Sequence, residues 1–297
     1  QENNLEDDLK KNLIIVKHNF ELDDLPFPCW DKIINNTKKV SLLFGNYPTL
    51  PIIATRGCPY SCFKYCVYPL QQGRKVRQRS PKKIVDEMEY WKNKMNIGMF
   101  VFRDPVFSIN RNHTIEFAKE LINRKLNLKF IVETHLRILD TELIKILKKA
   151  GLKGTKVGVE SADASVMNDA NRYTIDKDEQ HQKIRELEKN KIQVSAMFIL
   201  GFPSDTENSM SNTIEYAKKL NTTYAQFSVW TPYPGTPVFE EYKDKISVKS
   251  YEEYDQYNLV YKHNCLSESK VRFYLEKSYE NFYLRFKWIK KFIFSFI

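Results

Sequence analysis

The sequence predicts an α/β fold, in which a partial barrel of six parallel strands precedes a helical C-terminal extension. From residue 50 onward, short β-branched or aromatic runs alternate with amphipathic helical patterns. Six such strand–helix units are fewer than the eight of an ordinary closed barrel. The strand-like runs are nearly continuous in apolar residues, which is typical of a parallel sheet covered on both faces. We therefore expect an open barrel with right-handed crossovers.

The six predicted strands share β-branched and aromatic residues, and four of them end in a polar residue. They are LPIIATR (50–56), GMFVFRD (98–104), LKFIVETH (128–135), GTKVGVE (154–160), IQVSAMFIL (192–200) and YAQFSVWTP (224–232). The carboxyl ends of parallel strands meet at one rim, where such folds place their chemistry. The polar residues expected there are Arg103, Asp104, Glu133, His135, Glu160, Ser161 and Ser228.

The helical stretches between these strands carry recognisable start and stop signals. They include 80–94, 114–125, 140–151 and 206–220. Ser80 is placed to cap the first of them, with Pro81 at the first helical position. Gly151 stands where a glycine commonly ends a helix.

The chain divides into three predicted regions. Residues 1–49 form an N-terminal segment and linker, 50–239 the core barrel, and 240–297 a helical extension rich in Tyr and Phe. The linker ELDDLPFPCWDKI (21–33) predicts an extended, proline-stiffened connector whose Phe27 and Trp30 dock on the barrel. The basic and apolar end RFKWIKKFIFSFI (285–297) is compatible with a helix on a membrane surface or with a helix docked over the bottom of the barrel.

The net charge of +10 suggests an anionic partner, either nucleic acid or a membrane surface. Much of the excess is lysine on helical faces, as in ELIKILKKAGLKG, and no RNA-module signature accompanies it. Nucleic acid is therefore not a predicted partner. Neither a signal peptide nor an apolar run of roughly 18 residues is visible. We expect a cytoplasmic protein, with the C-terminus as a candidate contact to the inner face of the membrane.

Three of the five cysteines fall within nine residues, in the segment CPYSCFKYC that follows the first strand. This pattern is not a disulfide framework and indicates metal binding in a reducing compartment. Three thiolates on one loop suit an iron–sulfur cluster with one open iron. Zinc would need a fourth ligand, with Cys29 and Cys265 as distant candidates. Burial of the three side chains as small apolar groups is the remaining alternative.

The cysteine triplet and the motifs after it resemble the radical S-adenosylmethionine (SAM) superfamily, over roughly residues 20 to 290. The resemblance implies a partial (β/α)6 TIM-like barrel in which Cys58, Cys62 and Cys66 hold a 4Fe–4S cluster whose open iron chelates SAM. The commonest spacing in the family is CxxxCxxC, and this chain has one residue more in the second gap. The aromatic residue expected against the adenine is then Phe63 or Tyr65.

The resemblance also implies SAM contacts at the ends of the later strands. In VFRDPVF, Arg103 and Asp104 occupy the position of the contact to the SAM amino group, with Asp104 as the carboxylate. Further implied contacts are Glu160 and Ser161 to the ribose and methionyl groups, Arg172 to the SAM carboxylate, Gly201 and Pro203 beside the adenine, and Ser228 at the end of the sixth strand. His135 and Arg137 are candidates for substrate contact or for purely structural roles.

The linker resembles the one that joins a cobalamin-binding domain to the barrel in one large subgroup. About 20 residues precede it here, which is too few for such a domain, so we expect either a fragment or a lineage without the domain. The resemblance implies reductive cleavage of SAM and radical modification of an unreactive carbon. The reaction is either methyl transfer with cobalamin or a cobalamin-independent modification of a lipid or saccharide precursor. A flavodoxin or ferredoxin is the implied electron donor. The rival hypothesis is a zinc- or cluster-stabilised nucleic-acid-binding protein without SAM turnover.

Overall fold

The computed structural model of the protein describes residues 21–34 and 48–295. Six strands form one parallel sheet in the order β1-β4-β5-β6-β7-β8, and β2 and β3 form a small antiparallel pair. The strands are β1 (Thr49–Ile52), β2 (Thr55–Arg56), β3 (Arg77–Gln78), β4 (Met99–Phe102), β5 (Lys129–Glu133), β6 (Leu152–Glu160), β7 (Gln193–Leu200) and β8 (Tyr224–Val229).

Eleven α-helices lie in the part of the chain that the structure describes. They are α1 (Trp30–Ile33), α2 (Tyr68–Gln72), α3 (Pro81–Met95), α4 (Arg111–Asn123), α5 (Thr141–Ala150), α6 (Ala164–Asp169), α7 (Lys177–Lys189), α8 (Glu207–Leu220), α9 (Pro237–Tyr242), α10 (Glu268–Tyr283) and α11 (Phe286–Ser295). Most of residues 1–49, the predicted N-terminal segment, and the last two residues lie outside the described residues.

The sheet is open, as a partial barrel requires. Strands β1 and β8 each have one partner in the six-stranded sheet, and every neighbouring pair in that sheet is parallel. The predicted α/β class, the six parallel strands and the helical C-terminal extension are confirmed. The division of the chain into three regions remains a prediction.

Aromatic residues fill the core beneath the first strands. The ring of Phe102 lies 4.6 Å from that of Phe107 and 5.4 Å from that of Phe117, between centroids. Phe117 of α4 in turn contacts Phe130 of β5 edge-on at 5.5 Å. These side chains are almost fully buried, so helix α4 is fixed against the sheet largely by apolar burial.

The predicted capping signals form as expected. The Ser80 side chain accepts a hydrogen bond from the Lys83 amide, and Pro81 occupies the first turn of α3. Gly151 ends α5 with φ +115°, and a Cβ there would lie 2.1 Å from the Leu128 carbonyl oxygen, so only glycine fits. Helix α7 lies outside the predicted stretches, because Ile184 and Leu187 are the only apolar residues in its sequence.

The first predicted strand, 50–56, is divided in two. Strand β1 pairs in parallel with β4, whereas β2 turns away and pairs antiparallel with β3. The division occurs at Ile53 and Ala54, where the backbone turns toward the carboxylate of Asp104. The cysteine loop follows this turn directly.

The C-terminal extension covers the open edge of β8. Tyr279 and Tyr283, one turn apart on α10, each use a hydroxyl group to bond backbone groups of β8. Helix α11 then docks where β8 begins, with the Trp288 indole donating to the Thr223 carbonyl. The helix therefore packs on the barrel bottom, while Phe286 on its other side is 82% exposed.

The linker also packs on the barrel. Phe27 and Trp30 contact the core, and the Phe27 ring lies 5.7 Å from that of Tyr90. The Asp23 carboxylate accepts a hydrogen bond of 2.8 Å from the Ser80 amide. Across the described ranges, none of the helices has the length and apolar character needed to cross a bilayer.

Candidate active site

The three clustered cysteines lie on a loop held tightly against its neighbours. Gly57 opens the loop at φ +102°, and a Cβ there would come within 2.2 Å of the Lys75 carbonyl oxygen. The Cys58 amide donates to the Gly73 carbonyl at 3.1 Å. A short 3₁₀ turn, Ser61–Lys64, then brings the Cys66 amide to the Cys62 carbonyl at 3.1 Å. Backbone bonds therefore fix the position of the thiol groups.

Asp104 anchors the start of this loop. Its fully buried carboxylate accepts hydrogen bonds from the amides of Ala54, at 3.1 and 3.2 Å, and of Thr55. Burial raises the pKa of this carboxyl to about 6, and the hydrogen bonds oppose the rise. In this structure the carboxylate of Asp104 therefore positions the start of the cysteine loop. A contact from Asp104 to the amino group of SAM stays a prediction.

A cavity of about 240 Å³ opens at the carboxyl ends of the strands. It is lined by seven of the predicted site residues, namely Cys58, Cys62, Tyr65, Cys66, Glu160, Arg172 and Ser228. The other polar residues that line the cavity are Tyr60, Tyr68, Glu133, Thr134, His135, Gln226 and Gln256. The expected meeting of strand ends at one rim therefore occurs, and it does so around the cysteine loop.

Glu160 and Arg172 form a largely buried ion pair in the lining of this cavity, 3.2 Å apart, with side chains 13% and 12% exposed. Glu160 ends β6 at φ +65°, a left-handed conformation unusual for a non-glycine residue. Gly158 makes room for the pair, because a Cβ there would lie 2.5 Å from the Glu160 Oε1. Arg172 also donates to the Gly158 carbonyl at 3.4 Å.

Arg172 also faces the thiols. Its Nη1 lies 3.7 Å from the Cys62 Sγ. The hydrogen bond from Cys66 lowers the pKa of Cys62 to about 6, with Arg172 adding to the effect and burial opposing it. The same hydrogen bond and burial raise the pKa of Cys66, and burial raises that of Cys58. A nearby cation favours thiolates, the form that binds metals.

The residues at this site fit an iron–sulfur cluster. Each iron of a 4Fe–4S cube takes its own thiolate, so three cysteines need not converge on one point. Within residues 21–34 and 48–295, no three His, Cys, Asp or Glu side chains gather around a single ion position. Cys29 and Cys265 are exposed and outside the cavity lining. The buried Arg172 Nε has no hydrogen-bond partner among the described residues, which suits an anionic group in the cavity.

The other predicted cofactor residues lie away from this cavity. Arg103 is exposed and lines a separate cavity beside Trp30. Ser161 is buried, with its hydroxyl 3.1 Å from that of Thr213. The carbonyl of Gly201 accepts a 3.0 Å bond from the buried Tyr261 hydroxyl. Contacts from these residues to a cofactor stay predictions.

A neighbouring cavity of about 350 Å³ shares Tyr65 with the first. Pro203 and Phe202 line it, and the Phe202 ring meets that of Tyr65 edge-on at 5.8 Å. Tyr65 therefore separates the two spaces. The side chain of Phe63, the other candidate for adenine contact, lies outside the described residues.

Several residues that line the 240 Å³ cavity lie outside the motifs of the family resemblance. Burial raises the pKa of Glu133 to about 7, although Lys156 and Arg103 oppose the shift. Burial, with Arg172 nearby, lowers the pKa of His135 to about 4, so its imidazole is neutral at pH 7. The His135 Nδ1 accepts from the Arg137 amide at 3.2 Å, which leaves Nε2–H to face the Tyr173 carbonyl at 3.4 Å.

The two-residue period of a β-strand predicts one of these lining residues. Gln226 precedes Ser228 by two residues on β8, and side chains two apart in a strand share a face. Gln256 carries no comparable signal, because it reaches the mouth from an irregular loop with φ +67°. Its backbone carbonyl accepts a 2.6 Å bond from the Val229 amide, which holds that loop at the rim.

Comparison with known proteins gives consistent matches. The pattern that defines the Radical SAM superfamily matches residues 52–217. The chain is 32% identical over 262 residues to an anaerobic magnesium-protoporphyrin IX monomethyl ester cyclase of Cereibacter sphaeroides, covering 87% of this chain and 42% of the relative. It is 26% identical over 277 residues to an uncharacterised methyltransferase of Pyrococcus horikoshii, covering 92% and 59%.

Solved structures share the fold. A radical S-adenosylmethionine methyltransferase of Kitasatospora setae, solved with cobalamin and a [4Fe–4S] cluster bound, superposes with a TM-score of 0.62 at 19% identity. The match covers 79% of this chain and 44% of that one. The chain spans about half the length of the curated relatives it matches.

Proposed function

Because the chain belongs to the Radical SAM superfamily, we propose that it is a radical SAM enzyme that modifies an unreactive carbon centre of an organic substrate. One observation carries the proposal most directly. Three loop cysteines, the Glu160–Arg172 pair and Tyr65 meet in one cavity at the carboxyl ends of the strands. When bound, the cluster and SAM supply the electron and the 5′-deoxyadenosyl group that removes a hydrogen atom from substrate.

In this proposal Cys58, Cys62 and Cys66 hold the cluster, and Arg172 binds the carboxylate of SAM. The guanidinium of Arg172 is planar and presents paired donors, which suits a carboxylate. Its Nε is buried without a partner in the described residues and would gain one. Glu160 offers oxygen acceptors to an ammonium or hydroxyl group beside it. Arg172 thereby supplies hydrogen-bond donors to the cavity, and Glu160 supplies acceptors.

The wall that remains for substrate is mixed in character. Met197 and Ile199 of β7 give it an apolar side. Gln226, Gln256 and Glu133 supply hydrogen-bonding groups. Such a wall suits a small molecule, or a lipid or saccharide precursor, with an apolar body and a few polar groups.

Methyl transfer is the reaction we propose first, with cobalamin as a further cofactor. Its support is the methyltransferase name of the Pyrococcus horikoshii relative and the cobalamin bound in the Kitasatospora setae neighbour. A flavodoxin or ferredoxin would supply electrons. Requirement for added cobalamin separates this reaction from a cobalamin-independent modification.

We place a membrane contact at the C-terminus in the same proposal, for a cytoplasmic protein at the inner face. Exposed apolar residues Phe286 and Ile293 on α11 stand near Lys287 and Lys290 on the solvent side. The chain should sediment with vesicles containing anionic lipid, and Phe286→Glu/Ile293→Glu should stay in the supernatant. Equal sedimentation of both would contradict this contact.

The test of the enzymatic proposal is anaerobic reconstitution with iron and sulfide, followed by dithionite and SAM, with 5′-deoxyadenosine measured by mass spectrometry. The parent chain and Cys29→Ala, which changes an exposed cysteine of the linker, should form the product. Cys62→Ala should not. Uptake of one zinc without a cluster, together with salt-sensitive nucleic-acid binding and no 5′-deoxyadenosine, would instead support the nucleic-acid-binding alternative.

A further inference from the structure

We propose that exposed basic residues around the cysteine loop form the docking surface for an acidic protein that carries single electrons. We call this surface the basic collar and define it as Lys64, Arg74 and Lys75. The proposal rests on the proposed function, because only a chain that holds a redox cluster needs such a partner.

The first observation is the distribution of charge along the chain. Residues 55–85, which contain the cysteine loop, include eight Lys and Arg residues and no Asp or Glu. This segment therefore carries +8 of the net charge of +10, and the other 266 residues together carry only +2. Along the sequence, the Lys and Arg residues outside this segment are nearly balanced by Asp and Glu, whereas those around the cysteines are not.

The second observation is that part of this charge has no acidic partner in the described chain. Arg79 and Lys82 pair with Glu87 and Asp86, at 2.5 and 2.9 Å. The three collar residues are exposed. Of these, Lys64 and Lys75 form no ion pair with any residue in the described ranges.

The third observation is contact between the collar and the cysteine loop. Lys64 stands two residues from both Cys62 and Cys66. The Arg74 Nη2 donates to the Pro59 carbonyl at 2.9 Å. Lys75 packs its backbone carbonyl on Gly57, and Cys66 itself is only half-buried. A protein seated on the collar would thus lie directly over the cluster ligands.

These observations favour an electron carrier over other anionic partners. Electron-transfer encounters use small interfaces and rely on complementary charge for fast association. In the step served here, one electron passes from the reduced carrier to the oxidised cluster, and the carrier is oxidised by one electron. No atom or proton is exchanged. Nucleic acid or an anionic membrane would also be attracted by the positive charge. Neither of them requires that this charge lie beside the cysteines, whereas an electron carrier does.

The experiment measures binding of a bacterial flavodoxin, an acidic carrier, to the reconstituted protein by titration calorimetry at low and moderate salt. Three proteins are compared. They are the parent, the collar variant Lys64→Glu/Arg74→Glu/Lys75→Glu, and a control with the same charge change, Lys149→Glu/Lys189→Glu/Lys219→Glu. The control lysines are exposed and lie at the last turns of α5, α7 and α8, away from the cysteine loop.

We expect the parent Kd to weaken about tenfold between 50 and 300 mM salt, because the screening length falls over that range. The collar variant should bind at least tenfold more weakly at low salt, and the control should stay within about twofold of the parent. Equal weakening in both variants would overturn the proposal, since net charge alone would then explain binding. So would collar-dependent binding of single-stranded RNA or anionic vesicles by a parent that does not bind flavodoxin.

A second readout separates this proposal from the proposed function. Photoreduced deazariboflavin, a small neutral reductant, needs no docking surface. If it supports 5′-deoxyadenosine formation in the parent and in the collar variant, while flavodoxin supports it only in the parent, the collar is the docking site. If flavodoxin serves both equally well, the docking site lies elsewhere and the enzymatic proposal stands. Absence of product with either reductant would count against the enzymatic proposal, whatever the binding result.

Discussion

Arg172 combines three contacts that a surface arginine would not have. It pairs with Glu160 at 3.2 Å, donates to the Gly158 carbonyl and lies 3.7 Å from the Cys62 sulfur. Sequence resemblance alone suggested the residue, and the structure places it between the cysteine loop and the end of β6. Its charge can therefore act on the thiolates and on an anion in the cavity together.

Arg172→Gln should lower the free energy of unfolding by about 3 kcal/mol, because it leaves the Glu160 carboxylate buried without its partner. The double variant Arg172→Gln/Glu160→Gln should recover part of this loss. Urea denaturation of the two single variants and the double variant provides the coupling energy. Strictly additive losses would contradict a direct interaction between these side chains.

Glu133 should make stability depend on pH. Burial raises its pKa in the folded protein to about 7 from an ordinary value of 4.5, so the folded state holds its proton over a range where the unfolded state has lost it. The stability contributed by the protonated form is present below pH 4.5 and is lost as pH rises to about 7. Relative to the parent, Glu133→Gln should therefore gain about 2 kcal/mol between pH 5 and pH 8.

The measurement for Glu133 is chemical denaturation at both pH values. Glu116→Gln, which changes an exposed carboxylate on α4, is the matched control and should show no such gain. If Glu133→Gln and the control respond alike, the carboxyl of Glu133 is not held in its protonated form by burial.

At the scale of elements, the turn between β1 and β2 depends on one carboxylate. Asp104→Asn keeps the size of the side chain, but it replaces the oxygen that accepts only from the Ala54 amide with an NH₂ group that faces this donor, and it removes the negative charge. We expect a loss of about 2 kcal/mol in unfolding free energy. We also expect less iron bound per chain after reconstitution, since the cysteine loop follows this turn. Asp244→Asn, which changes an exposed carboxylate after α9, should change neither quantity appreciably.

The edge of β8 depends on two tyrosines of α10. The Tyr283 hydroxyl accepts from the Ala225 amide at 2.9 Å and donates to its carbonyl at 2.7 Å, and Tyr279 makes the same pair of bonds with Phe227. The two hydroxyl groups thus make hydrogen bonds that a neighbouring strand would otherwise make with β8. An uncovered edge would invite pairing with another chain.

Tyr279→Phe/Tyr283→Phe should lower the unfolding free energy by about 2 to 4 kcal/mol, because it leaves backbone groups of β8 unsatisfied. It should also increase aggregation, measured by light scattering at rising protein concentration. Tyr251→Phe, at a residue that is 79% exposed, is the control. Unchanged stability of the double variant would contradict this prediction, because the backbone groups of β8 would then find other hydrogen-bond partners, such as water.

At the scale of the whole molecule, periodicity predicted the barrel because its strands and most of its helices are amphipathic or continuously apolar. Sequence patterns could not predict where α10 docks, since its tyrosines meet β8 more than 50 residues away. Nor could they show that Asp104 turns inward, which depends on the division of the first strand. Gln256 joined the cavity through a loop conformation that carries no sequence signal.

The sequence predicted the site best where metal binding restricts the residue types that can serve as ligands. Three thiolates on one loop limit the alternatives to a few kinds of metal site, and the cavity places Glu160 and Arg172 beside them. Residues assigned from motif position lie in different places: Glu160 and Arg172 line the cavity, whereas Ser161 and Gly201 use polar groups inside the fold. Position in a motif identifies a strand end, and tertiary packing decides which way its side chains point.

The most direct test of the central claim is electron paramagnetic resonance of the reconstituted, reduced protein with and without SAM. The account predicts the signal of one 4Fe–4S cluster per chain, with g-values that shift when SAM is added. Arg172→Gln should retain the cluster signal and need a higher SAM concentration for the same shift. A parent cluster whose spectrum is indifferent to saturating SAM, or a parent chain that assembles no cluster, would contradict the account.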